Sequence, residues 1–174
     1  MHKRFIVFEL DNISENRTLL PVVTIIIMET FLAKMRRLQG VRKVLLLEEA
    51  WKAIAKEGMA SYVRYLFKTV RKYFGEAIVV TQEVEDIISS PIVKESIINN
   101  ADCKILLDQR KYRNKFDQIQ TLLGLTDKER AQVLSINLSN DPARRYKEVF
   151  ISLGGVQSAV YATEVSDEEY LVRP

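Results

Sequence analysis

The chain has 174 residues, is 47% hydrophobic and 28% charged, and so can bury the core of one domain and stay soluble. Its net charge of +3 is too mild to argue for nucleic acid. With His2 the only histidine and Cys103 the only cysteine, a Ser-His-Asp site, a Cys-His site, His-ligated zinc and a disulfide framework are all excluded, and a reducing compartment fits.

Met1-His2-Lys3-Arg4 is basic, but Glu9 and Asp11 interrupt the apolar run behind it, so it does not read as a secretory leader. The run Leu19 to Met28 includes Pro21 and Thr24 and stops at Glu29. Spanning a bilayer takes about 20 apolar residues. The run therefore reads as a buried helix, and any membrane link is expected to come through a partner.

In chain order, Phe5-Ile6-Val7-Phe8-Glu9-Leu10 predicts a strand ending at Asp11-Asn12. Leu20 to Leu38 predicts a helix, with Pro21 in its first turn, Lys34, Arg36 and Arg37 in its last, and Gly40 as the stop. Lys43 to Glu48 predicts a strand. Its unbroken Val44-Leu45-Leu46-Leu47 core predicts cover on both faces, as in a parallel sheet.

Ala60 to Phe74 predicts a helix whose apolar stripe is Val63, Leu66, Phe67, Val70 and Phe74, ended by Gly75. Ala77 to Gln82 predicts a third buried strand. Ser90-Pro91 predicts a helix start, with the end near Asn99-Asn100. Lys104 to Asp108 predicts a fourth strand, and its apolar run predicts a buried, inert Cys103 thiol. Lys115 to Leu123 predicts a helix closed by Gly124, and Thr126-Asp127-Lys128-Glu129 a capping box opening another. Tyr146 to Leu153 and Val156 to Val165 predict strands joined by a two-residue Gly154-Gly155 turn.

Strand, helix, strand, helix, strand, helix, strand, then a hairpin is the order of an α/β fold with an open, mostly parallel sheet. Ligands of such sheets collect beyond the carboxyl ends of the strands. Asp11, Glu48-Glu49, Thr81-Gln82 and Asp108-Gln109 all fall at predicted carboxyl ends.

The chemistry this rim suggests is phosphoryl hydrolysis. It needs a magnesium ion, an oriented water and positive charge on the phosphates. Glu48 can hold the magnesium shell and Glu49 can polarise the water; the plain alternative is two acids opening the next helix, where they favour its dipole. Gln82 can bond the water or the terminal phosphate, or simply satisfy loop backbone. Arg110 and Arg113 are arginine-finger candidates, or part of a solvated basic loop. The basic face Arg64, Lys68, Arg71, Lys72 can touch phosphates or face solvent. A phosphate loop is missing: no glycine of the chain is followed by lysine. A fragment is expected, or a domain that lost this loop.

Leu45-Leu46-Leu47-Glu48-Glu49-Ala50-Trp51, then Ala77-Ile78-Val79-Val80-Thr81-Gln82, then Ile97-Ile98-Asn99-Asn100-Ala101-Asp102-Cys103-Lys104-Ile105-Leu106-Leu107, resemble in order and spacing the TraG-type conjugative transposon ATPases. These are type IV secretion motors of the FtsK-HerA P-loop branch. The resemblance covers nearly the whole chain but only the C-terminal part of such proteins. It implies the second half of a RecA-like P-loop domain, 1–174 as one domain, with the Walker A segment upstream of Met1.

The resemblance also implies roles. Leu45 to Glu49 would be the Walker B strand, with Glu48 on magnesium through water and Glu49 as the catalytic glutamate. Thr81 and Gln82 would contact the nucleotide. Glu48 departs from the usual Asp by one methylene. ATP and Mg2+ would serve the parent protein, with neither held tightly by the fragment. The parent would form an oligomeric ring with conjugation-machine proteins, cytoplasmic and peripheral at the inner membrane, energising transfer of DNA or protein. The rival readings are a non-catalytic docking module for a coupling protein or DNA, and a magnesium hydrolase built on Asp11, Glu48 and Glu49.

Overall fold

The computed structural model describes residues 4–48, 57–82, 97–138, 146–164 and 166–171. The chain divides into two compact units, Met1–Asn100 and Ala101–Pro174.

The first unit opens with a helix, α1 (Leu19–Arg37). The Asn16 side chain starts it by accepting from the N–H groups of Thr18 at 3.1 Å and Leu19 at 2.9 Å, which have no partner within the helix. Strand β1 (Lys43–Glu48) comes next, then α2 (Glu57–Thr69), a 3-10 turn at Val70–Tyr73, and β2 (Gly75–Val80). β1 and β2 run parallel, in register from Lys43 opposite Gly75 to Glu48 opposite Val80. Both helices pack on one face of this pair. Met28, Leu32 and Met35 of α1 meet Val63, Leu66 and Phe67 of α2, with Leu45, Leu47, Ala77 and Val79 packed against them. The Lys43 ammonium donates to the carbonyls of Met35 at 3.2 Å and Tyr73 at 2.6 Å, which ties the ends of both helical segments to the start of β1.

The fold is α/β, with a parallel sheet, flanking helices and a C-terminal hairpin, as the element order indicates. Three details of the first unit differ. Residues 5–10 form no strand: Phe5 is 83% and Val7 70% exposed. An apolar run supplies strand propensity, but a strand also needs a hydrogen-bonded neighbour, and this run has none among the described residues. Asp11 therefore starts a short 3-10 turn rather than ending a strand. Among the described residues β1 is covered on one face only, leaving Val44 and Leu46 outward beside Ile78 and Val80 of β2. Phe74 leaves the α2 stripe, because the 3-10 turn ends on it in a left-handed conformation and turns its ring outward.

The second unit contains β3 (Cys103–Leu106), a 3-10 turn at Arg110–Lys115, α3 (Phe116–Leu123) and α4 (Asp127–Ser135). Beyond them lie β4 (Tyr146–Leu153), β5 (Gln157–Glu164) and a short α5 (Asp167–Leu171). The sheet is antiparallel in the order β3-β4-β5. β3 thus joins the hairpin, not the parallel pair. Its alternation turns Cys103 and Ile105 outward, so the thiol is exposed rather than buried.

Gly154 and Gly155 both have positive φ, and the Val156 N–H donates to the Leu153 carbonyl at 3.0 Å. Because Leu153 pairs with Gln157, the loop has one residue more than the two glycines. The Thr126–Glu129 capping box is present. The Glu129 carboxylate accepts from the Thr126 N–H at 2.8 Å and, across to β4, from the Ser152 hydroxyl at 3.2 Å. The helix start expected at Ser90-Pro91 lies outside the described residues. Its expected end, near Asn99-Asn100, falls in a 3-10 turn at Ile98–Asn100.

Candidate functional site

Two parallel strands of equal register deliver their last residues to one edge. Glu48 ends β1 opposite Val80, and Thr81 and Gln82 come directly after Val80. The structure thus brings Glu48, Thr81 and Gln82 together at the carboxyl end of the sheet, the end at which open α/β sheets take their ligands. Glu48 is exposed and shares the outward face of β1 with Val44 and Leu46, while Leu45 and Leu47 turn toward the helices. Alternation along the strand places it there. Glu49 and Trp51 lie outside the described residues.

The remaining site residues belong to the second unit. Asp108 lies just past β3, and its carboxylate accepts from the Arg110 backbone N–H at 3.0 Å and from Arg110 Nε at 3.0 and 2.8 Å. This pair opens the 3-10 turn at Arg110–Lys115. The bond from the Arg110 side chain, with smaller help from the Arg110 backbone N–H, lowers the Asp108 pKa, and the same side-chain bond raises that of Arg110. Arg113 sits one turn on and is exposed. The Gln109 side-chain oxygen is buried and finds no donor among the described residues. In sequence the Asp108 contact is legible only as an Asp two residues before an Arg. That spacing commonly makes a local side-chain turn, yet finger chemistry alone gives both arginines equal standing.

A magnesium ion needs few protein ligands when phosphates supply the rest; one or two carboxylates and several waters suffice. Glu48 at an open strand end fits that donor set. Among the described residues, no three His, Cys, Asp or Glu side chains could hold a metal by themselves, and Asp11 and Glu48 stand in no such group.

The fold is that of an α/β domain of the P-loop NTPase kind, in a chain where no glycine is followed by lysine. The family model for the TraG P-loop domain matches residues 1–173. The chain belongs to that family. The type IV secretion system protein CagE of Helicobacter pylori (strain ATCC 700392 / 26695) is 33% identical over 92 residues, which is 53% of this chain and 9% of that protein. The solved structure of VirB4 of Thermoanaerobacter pseudethanolicus superposes with a TM-score of 0.68 at 23% identity, over 95% of this chain and 43% of that one. The latter likeness speaks for the fold. In both cases this chain spans less than half of its relative. Among the described residues no helix is long and apolar enough to cross a membrane.

Proposed function

We propose that this chain is the C-terminal portion of the ATPase domain of a type IV secretion motor. In the longer protein it works with a phosphate loop to hydrolyse ATP and so energise transfer of DNA or protein. The observation that carries this reading is the rim: an acid ending one parallel strand, beside a Thr-Gln pair ending the next. The uncovered face of Val44, Leu46, Ile78 and Val80 also supports it, since parallel sheets are normally covered on both sides.

In this reading Glu48 holds the magnesium shell through water, and Glu49 takes the proton of the attacking water. Thr81 and Gln82 sense the nucleotide, and Arg110 or Arg113 faces the phosphates, in a ring of copies docked to other machine components at the inner membrane. The bound magnesium ion would neutralise phosphate charge. The test is Glu49→Gln in the full-length protein. It keeps the shape and removes the charge that polarises water. Hydrolysis should be abolished while ATP binding persists; wild-type turnover would sink the assignment.

A further inference from the structure

The amino end of the parallel sheet is built very differently from its functional rim. Residues 34–43 contain Lys34, Arg36, Arg37, Arg42 and Lys43, and residues 64–75 contain Arg64, Lys68, Arg71 and Lys72; neither segment holds an acid. The whole chain is only +3, so everything else in it is net negative. The fold gathers these cations. Lys43 pairs with Gly75, so the two loops enter the sheet side by side. Arg36 reaches from α1 to α2, donating to the Tyr65 hydroxyl at 3.0 Å with its guanidinium 5.8 Å from the ring centre. The next acid along the chain, Glu76, is paired with Arg42.

Apolar side chains stand out among these cations. Leu38 is 43%, Val41 52% and Phe74 67% exposed. Phe74 holds its position at φ 55° and ψ 37°, a left-handed conformation that bulky side chains rarely adopt and glycine adopts freely. A helix-end cation alone is ordinary dipole compensation. An outward aromatic at a strained position, next to two exposed aliphatics inside a basic collar, is not explained by that.

We propose that this end of the first unit binds the surface of an anionic lipid bilayer. Leu38, Val41 and Phe74 enter the headgroup layer, and the collar of Arg36, Arg37, Lys68 and Lys72 meets lipid phosphates. Aliphatic tips favour lipid over nucleic acid, whose phosphates offer Leu38 and Val41 nothing to bury against. At about 3.3 Å per residue, the Glu48 rim lies about 17 Å from this end, so lipid contact leaves it open. The interaction needs neither nucleotide nor phosphate loop and stands independently of the catalytic reading.

The test is co-sedimentation of the whole chain with phosphatidylcholine vesicles, with and without phosphatidylglycerol. Binding should require the anionic lipid and weaken as salt rises. The triple variant Arg37→Gln, Lys68→Gln, Lys72→Gln should lower the partition coefficient at least about tenfold, since each cation near an anionic surface contributes roughly fivefold. Phe74→Gly, which suits the left-handed position, should weaken binding several-fold with the circular dichroism and melting temperature retained or improved. Absence of binding to anionic vesicles overturns the proposal. So does unchanged binding by the triple variant, or displacement of vesicles by duplex DNA with Phe74→Gly indifferent, which would make the surface a nucleic-acid site.

Discussion

Asp108 grips Arg110 through both carboxylate oxygens, at 3.0 and 2.8 Å from Nε, whereas Arg113 makes no ion pair or hydrogen bond among the described residues. Two arginines that look equivalent in sequence therefore differ in availability. Among the described residues, one is committed to a local pair and the other is not.

That difference should show in turnover. In the full-length protein, Arg113→Ala should lower the rate about a thousandfold, the usual scale of an arginine finger, and Arg110→Ala much less. Steady-state ATPase rates check this. Mixing Arg113→Ala with Glu49→Gln subunits should restore part of the rate if the arginine acts across an interface, because some hybrid interfaces pair an intact arginine with an intact glutamate. Normal rates for both arginine variants would leave this loop with no catalytic part.

The isolated 174-residue chain should bind Mg-ATP weakly or not at all. The backbone cradle and lysine that hold phosphates have no counterpart in the sequence. Isothermal calorimetry decides it, and sub-micromolar affinity would contradict the fragment reading.

Stability should fall in acid through Glu129. Bonds from the Thr126 backbone, then from the hydroxyls of Thr126, Ser158 and Ser152, hold its carboxyl below the ordinary value. A carboxylate with a lowered folded pKa contributes stability above its unfolded pKa of about 4.3 and loses it as pH falls through the folded one. Urea titrations of wild type against Glu129→Gln should show the gap closing below about pH 4. Thr126→Ala should cost about 1 kcal/mol at neutral pH. A gap that stays constant from neutral to acid pH would refute the role given to this carboxylate.

Gly75→Ala should destabilise the first unit. An added Cβ would stand 2.6 Å from the Val70 side chain and 3.2 Å from Met35 sulfur. Overpacking of this kind costs about 1–3 kcal/mol. Thermal melting checks it. An unchanged midpoint would mean that the packing of Val70 and Met35 around Gly75 is looser than the structure has it.

Much of the molecule is legible in its residues. α1, β1, α2, β2 and the capping box arise from apolar spacing, Lys-Arg helix ends and the Thr-x-x-Glu pattern, because those signals act within a few residues. The site is legible as strand ends: Glu48 and Thr81-Gln82 share a rim because two apolar runs of equal length lie parallel. Partnership is what local pattern leaves open. Phe5 to Leu10 has strand composition but no ladder, β3 pairs with the hairpin instead of the parallel pair, and Val44 and Leu46 stand uncovered. Periodicity states which residues are apolar, whereas burial depends on what lies opposite. Cys103 turned outward with the alternation of β3 once that strand paired with β4, and Phe74 because the 3-10 turn ended on it in a left-handed conformation, while the Asp108 carboxylate singled out Arg110 through a local contact. Local pattern thus determined most of the elements and the rim, and tertiary structure decided what pairs and what is covered.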